Sequence, residues 1–301
     1  MTLISNHQLH KAATSKISNG FKGKSIVAFV DLLGFSKDIM SKWDNKTDDP
    51  LYRLMRIKSL LELAIKNANP HKFCDHNGKI ILKITYPKLI TFSDSFIFLK
   101  ELEDQDPSYI LGSVLATIGS IIELWRISVD EKFSIRGGVD YGEIFYTVDD
   151  LVGPTLINSY NLEVKTADVS RILISKTISN IISENIGKIN PVLMEYFRRY
   201  FMHDFDNRIS LNPLIAFGYN NKIEVNRNKQ KFIEIRDKSN KYRERRKISH
   251  VIKLLEKGDT SLLPTNLYSS SSGPSFGWYI KKCFYFLTAA IKKYLSENAR
   301  I

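Results

Sequence analysis

The 301 residues are 43% hydrophobic and 11% aromatic, enough apolar material for one large domain or two ordinary ones and too much for wholesale disorder. With 44 Lys and Arg against 32 Asp and Glu, the net charge is +12, which attracts polyanions: nucleotides, nucleic acid or an acidic membrane surface. A soluble, Lys-rich surface accounts for the same excess equally well.

Cys74 and Cys283 belong to no CxxC pair, which argues against a disulfide framework or a zinc ribbon. The N-terminal segment is polar and lacks a signal-peptide core. We find no run of about 18 apolar residues that would predict a membrane span, so the expected location is the cytoplasm.

Along the chain, residues 1–24 read as a flexible basic lead-in. SIVAFVD (25–31) is an apolar run suited to a buried strand. LLGFS follows, with Gly34 as a turn residue, and then a helical pattern through Met40. A polar break, DNKTDDP (44–50), precedes a second helix in which Leu51, Leu54, Leu61 and Ile65 recur at helical spacing. His71–Gly78 reads as a polar loop.

Strands are predicted near 87–92 and 95–99, with a hairpin turn at Ser93, Asp94 and Ser95. A helix is predicted over 108–128, and two strands around the glycines of Phe133–Tyr146. Gly153–Ser170 reads as largely helical, Arg171–Ser175 as a short strand and the next segment as a helix. This order predicts an α+β fold: a ferredoxin-like βαββαβ core with an additional hairpin strand.

The expected catalytic domain is 25–199. Residues 200–301 read as a basic C-terminal accessory region. It contains the charged run 226–247, a linker-like SSSSGPS (269–275) and an apolar helix candidate over 278–295.

The topology makes a spatial prediction. In a βαββαβ sheet the first and third strands are neighbours, and the hairpin turn lies at the same edge as the end of the first strand. Asp31 and Asp94 should therefore meet. Two adjacent carboxylates repel unless a cation separates them or one takes a proton. Oxygen ligands suit Mg²⁺ or Mn²⁺, and two such ions can stabilise an in-line displacement at phosphorus. The simpler alternative makes Asp31 a helix cap and Asp94 an ordinary turn residue. Backbone N–H groups from Leu32 to Phe35 would favour an anion at the following helix N-terminus.

FVDLLGFS (29–36), FSDSF (92–96) and IRGGVDYG (135–142) resemble the class III nucleotidyl cyclases over roughly residues 25–175. The resemblance implies that Asp31 and Asp94 hold two Mn²⁺ or Mg²⁺ ions, with Leu32 also among the metal-holding positions. It further implies triphosphate contacts from Leu32, Leu33, Gly34 and Phe35, a phosphate contact from Arg136, and a homodimer with shared sites.

Two positions depart from the purine cyclases. Ile90 stands where those enzymes carry a purine-reading Lys or Glu. Asn158 is followed four residues later by Leu162 instead of the transition-state Arg; Arg171 could supply that charge or simply begin a strand. In its DLLGF turn (31–35), its Ser-Asp hairpin and its segment Gly153-Pro154…Tyr160-x-Leu162-Glu163…Arg171 the chain is similar to the bacterial Pycsar cyclases. That similarity implies UTP or CTP as substrate, cUMP or cCMP plus pyrophosphate as products, and a role in anti-phage defence.

The alternative is a non-catalytic nucleotide- or nucleic-acid-binding protein, whose patch would be the 226–247 run with Phe232 and Tyr242. That run reads better as a solvated basic helix, so no stable nucleic-acid partner is expected. His71, Cys74 and His76 could bind a metal but read better as loop residues. Trp125 and Trp278 read as core.

Overall fold

The computed structural model describes residues 19–257, apart from 44, 46, 75–77, 79, 190–196, 198, 219–220 and 240–241. The linker and helix expected at 269–275 and 278–295, with Trp278 and Cys283, lie outside the described residues, as does His76.

The central strand, β1 (Phe21–Leu33), alternates as a sheet strand must. Ile26, Ala28, Val30 and Leu32 face the main core, and Val27 faces the other side with Leu99 and Ile144. It begins earlier than the apolar run predicted. Phe21 pairs with Tyr146, and their rings lie 5.6 Å apart, so residues 21–24 belong to the sheet and not to a lead-in.

Helices α1 (Phe35–Lys42) and α2 (Pro50–Asn67) follow; Asp49 caps α2 by accepting from Leu51 N–H, with Pro50 in the first turn. The buried stripe of α2 is Leu54, Ile57, Leu61 and Ala64, while Leu51 is exposed. Where a polar loop was expected, β2 (His71–Cys74) pairs with β3 (Ile80–Ile84) as a separate two-stranded sheet. The pairing comes from the apolar partner strand, which the polar text of β2 does not reveal.

β4 (Lys88–Phe92) and β5 (Ser95–Glu101) form the expected hairpin. α3 (Pro107–Asp130) is long and apolar enough, by length and composition alone, to cross a membrane. Here it is the central core helix, with every residue from Ser108 to Val129 buried except Arg126.

β6 (Ser134–Tyr146) is one 13-residue strand, not two. Its glycines mark close approaches instead of a turn. A Cβ on Gly138 would lie 2.4 Å from Leu162 Cβ and 2.5 Å from the Ser159 carbonyl oxygen. Those contacts come from α4 (Pro154–Asn161) and the π-helical turn Leu162–Thr166, which follow the short β7 (Leu151–Val152).

β8 (Ile172–Ile174) and α5 (Lys176–Ile189) come next. β9 (Phe201–His203), β10 (Ile209–Leu211), α6 (Pro213–Phe217), α7 (Lys222–Asp237) and α8 (Tyr242–Lys257) complete the described chain.

The main sheet runs β4-β5-β1-β6-β8-β10-β9, with β7 on β6; every pair is antiparallel except β6 with β8. The protein is therefore an α+β fold on a mostly antiparallel sheet.

The described residues beyond 200 pack against those before the expected boundary. β9 and β10 extend the same sheet, and Phe217, Phe232, Val251 and Leu255 join the main core. Trp125, Phe217 and Phe232 stack edge-to-face at 5.3 and 5.0 Å. Each buried aromatic here contributes about 1.5–3 kcal/mol, which ties α6 and α7 to α3. The basic run 226–247 is thus anchored from beneath rather than solvated all round.

Candidate active site

Asp31 lies near the end of β1 on the face opposite the main core. Its cross-strand neighbours on that row are Ser95 of β5 and Arg136 of β6. Ser95 Oγ donates to Asp31 Oδ1 at 3.2 Å, and an Arg136 terminal nitrogen lies 3.7 Å from Oδ2.

Asp94 occupies the two-residue turn before Ser95. Ser93 adopts a left-handed backbone there (φ 51°), as tight hairpin turns require. The Leu32 N–H donates to the Asp94 carbonyl at 3.3 Å, and Ser93 Oγ donates to Asp94 Oδ1 at 3.0 Å. The sheet thus brings Asp31 and Asp94 to one edge, as topology predicted. Asp31 is not a helix cap: that position is Gly34, at φ 90°, and no side chain caps α1.

The electrostatics follow from this crowding. Burial, then the Asp94 charge, raise the Asp31 carboxyl to about 6, against the pull of Arg136 and Ser95. A third carboxylate enters from the π-turn. Glu163 is 2% exposed and lies 2.5 Å from Arg136 Nε, in ion-pair contact but not aligned for a hydrogen bond. Burial raises it to about 7; Arg136 opposes this, and the Asp31 and Asp94 charges add to it. Burial also lowers the Lys58 ammonium, which Asp94 and Glu62 partly offset.

Glu163 and Lys58 carried no role in the sequence reading. For Glu163 the available signal was its place in the Tyr-x-Leu-Glu segment, which the sequence reading used only as a mark of resemblance; Lys58 gave none.

Other expected site residues are placed differently. The Leu32 side chain is buried and its N–H is taken by Asp94, so it is not free for a phosphate. Phe35 is a core residue against Phe133, leaving only its backbone near the turn. Leu33 packs partly buried against the same core. Ile90 sits on the Asp31 face, paired with Ile97, where it offers no hydrogen bond to a base.

Asn158 is tied elsewhere: its amide donates to Asp140 Oδ2 at 3.0 Å, and Thr177 holds the other carboxylate oxygen. Asp140 lies four residues along β6 from Arg136, about 13 Å from the Asp31 row.

Arg171 is the clearest correction. Its guanidinium is buried, donates to the Thr166 carbonyl at 2.8 Å and pairs with Asp204 at 3.1 Å and Asp206 at 2.9 Å. With both terminal nitrogens held by Thr166 and by Asp204 and Asp206 of the β9–β10 turn, it is placed as a structural arginine away from Asp31 and Asp94. Phe232 is fully buried and cannot stack on a base, while Tyr242 is exposed.

Among the described residues, no three or more His, Cys, Asp or Glu side chains group to hold a metal ion. A cation at Asp31 and Asp94 would rest on two carboxylates, with water, backbone or substrate oxygens completing its shell. That donor set suits Mg²⁺ or Mn²⁺, which retain several waters, and does not suit a closed protein site.

No protein-family model matches the chain, and no curated protein matches it. Among solved structures it is similar to a class III adenylyl cyclase-like ATP-binding protein from Pseudomonas aeruginosa, at 15% identity and a TM-score of 0.32. The match covers 54% of this chain and 35% of that one, so this chain spans about a third of its neighbour. A likeness so distant carries no conclusion about chemistry, which rests on the residues described above.

Proposed function

We propose that the chain is a nucleotidyl cyclase that converts a nucleoside triphosphate to its 3′,5′-cyclic nucleotide and pyrophosphate. The observation that carries this reading is the convergence of Asp31 and Asp94 beside Arg136 on one sheet face. The strand order supports it. Taking β1, β4, β5 and β6 as first to fourth, the order is 2-3-1-4, all antiparallel, as in a ferredoxin-like βαββαβ core.

Asp31 and Asp94 would hold Mn²⁺ or Mg²⁺, which supplies positive charge for the triphosphate and acidifies the ribose 3′-hydroxyl. The remaining work falls to the chain itself. The uncapped first turn of α1 after Gly34 offers N–H groups to a phosphate. Arg136 neutralises charge on the departing pyrophosphate. Phe29, Ile90 and Ile97 share one row next to the carboxylates and form an apolar bed for a base.

A bed without a donor or acceptor at Ile90 favours a pyrimidine over a purine, hence UTP or CTP giving cUMP or cCMP. A homodimer with shared sites and a role in anti-phage defence complete the proposal.

The test is chromatography of each of the four ribonucleoside triphosphates after incubation with the chain and Mn²⁺ or Mg²⁺. One cyclic pyrimidine nucleotide is expected, with at least about a hundredfold loss in Asp31→Ala or Asp94→Ala. Wild-type turnover in either variant, or no cyclic product from the wild type, overturns the reading.

One observation favours a second reading. With Arg171 buried elsewhere, Arg136 is the only arginine placed against the carboxylates among the described residues. A nucleotide-binding protein without turnover would bind a triphosphate in the same assay and leave it intact.

A further inference from the structure

A cavity of about 220 Å³ opens beside Arg136. Four of its lining residues are cations, Arg136, Arg243, Arg246 and Lys247, against one acid, Asp168. That acid is already paired, 3.4 Å from Arg171. Arg243, Arg246 and Lys247 occupy positions i, i+3 and i+4 of α8, so they share one helix face. The opposite face, with Ile248, Val251, Ile252 and Leu255, is buried in the core. The Ser170 N–H donates to the Lys247 carbonyl at 3.0 Å, which fixes this face over the cavity.

The three α8 cations lack an ion-pair partner among the described residues. They also crowd one another: burial first, then Arg136 and Arg243, push the Lys247 ammonium down. Glu163 and Asp31 pair with Arg136, and Glu244 and Asp168 partly offset Lys247; the α8 face keeps an excess of positive charge that an entering anion neutralises. At about 220 Å³ the space is smaller than the roughly 300–1,000 Å³ of sites that enclose a whole small-molecule ligand. It suits phosphate groups without a base. Arg136 both lines this cavity and contacts Asp31, so one side chain borders the cavity and the carboxylate pair.

We propose that this cavity is an oligophosphate subsite, in which Arg243, Arg246 and Lys247 act with Arg136 on the tail of a nucleoside triphosphate or on released pyrophosphate. Its phosphate affinity stands on the cavity alone; its place in a reaction rests on the cyclase reading. Planar guanidinium groups grip phosphate oxygens two at a time, which a surface lysine does not.

The test is calorimetry of the full chain with inorganic pyrophosphate and tripolyphosphate in EDTA. Arg243→Ala/Arg246→Ala should weaken both about tenfold or more, and Arg243→Lys/Arg246→Lys should restore part of the loss. Lys222→Ala/Arg227→Ala removes the same charge from exposed positions on α7 and should change little. Thermal melting checks that each variant is folded.

Unchanged pyrophosphate binding in Arg243→Ala/Arg246→Ala overturns the proposal, as does an equal loss in the α7 control. So does binding of a short single-stranded oligonucleotide when neither phosphate probe binds. A parallel loss of nucleoside triphosphate affinity identifies the substrate tail as occupant; loss for pyrophosphate alone identifies the product. If the wild type makes no cyclic nucleotide yet binds pyrophosphate through Arg243 and Arg246, the cyclase reading fails and the subsite stands.

Discussion

Asparagine at position 31 keeps the shape of the aspartate and removes its charge. In the folded chain this carboxyl is raised from 3.8 to about 6, so holding it ionised costs about 3 kcal/mol at 1.36 kcal/mol per pH unit. The folded state binds the proton more tightly than the unfolded chain. The stability this confers is complete below about pH 4 and is lost as pH rises through 6.

Asparagine is neutral throughout. Asp31→Asn should therefore exceed the wild type by about 1–3 kcal/mol at pH 7.5 and match it near pH 4, the lower figure allowing for weakened Ser95 and Arg136 contacts. Urea melts in EDTA at both pH values measure this. Adding Mn²⁺ should then stabilise the wild type and leave Asp31→Asn unmoved. An asparagine variant no more stable than the wild type at pH 7.5, or with an advantage undiminished at pH 4, refutes the reasoning.

Arg136→Met removes the counter-charge of buried Glu163. It should cost about 3–5 kcal/mol at pH 8 and less at pH 6, where the glutamate neutralises itself by taking a proton; thermal melts at the two pH values decide. Gly138→Ala drives a methyl group into Leu162 and the Ser159 carbonyl, and should lower stability by about 1–3 kcal/mol in a urea melt. Arg171→Met breaks the contacts to Asp204 and Asp206. It should cost about 3–5 kcal/mol while the folded fraction keeps its triphosphate affinity. Full stability with lost turnover would return that arginine to the chemistry.

The hairpin, the long core helix and the meeting of Asp31 with Asp94 were legible because each rests on local text: an apolar run ending in an acid, and a Ser-Asp-Ser turn between β-branched and aromatic residues. What was misread depends on partners distant in sequence. The glycines of β6 look like a turn until the approach of α4 is known, and Gly138 is needed only because Ser159 and Leu162 press on it. The FKGK segment before the apolar run looks like a tail because its pairing with β6 is invisible locally. Phe232 sits in a basic run whose underside is set by Trp125 and Phe217, over a hundred and about fifteen positions away respectively. Arg171 looked available because its aspartate partners lie more than thirty residues downstream. Glu163 was read as part of a motif but given no role, because its burial comes from a wide helical turn that periodicity does not predict.

That wide turn has a further consequence. The Ala167 N–H donates to the Leu162 carbonyl at 2.8 Å, closing a loop one residue longer than regular helix allows. Deleting a single residue from this span would let the chain wind normally and rotate the downstream segment by about 100° about the axis. β8 follows directly and is held in register against β6, so that rotation would have to be absorbed between them; the wide turn is what lets α4 and β8 both keep their places.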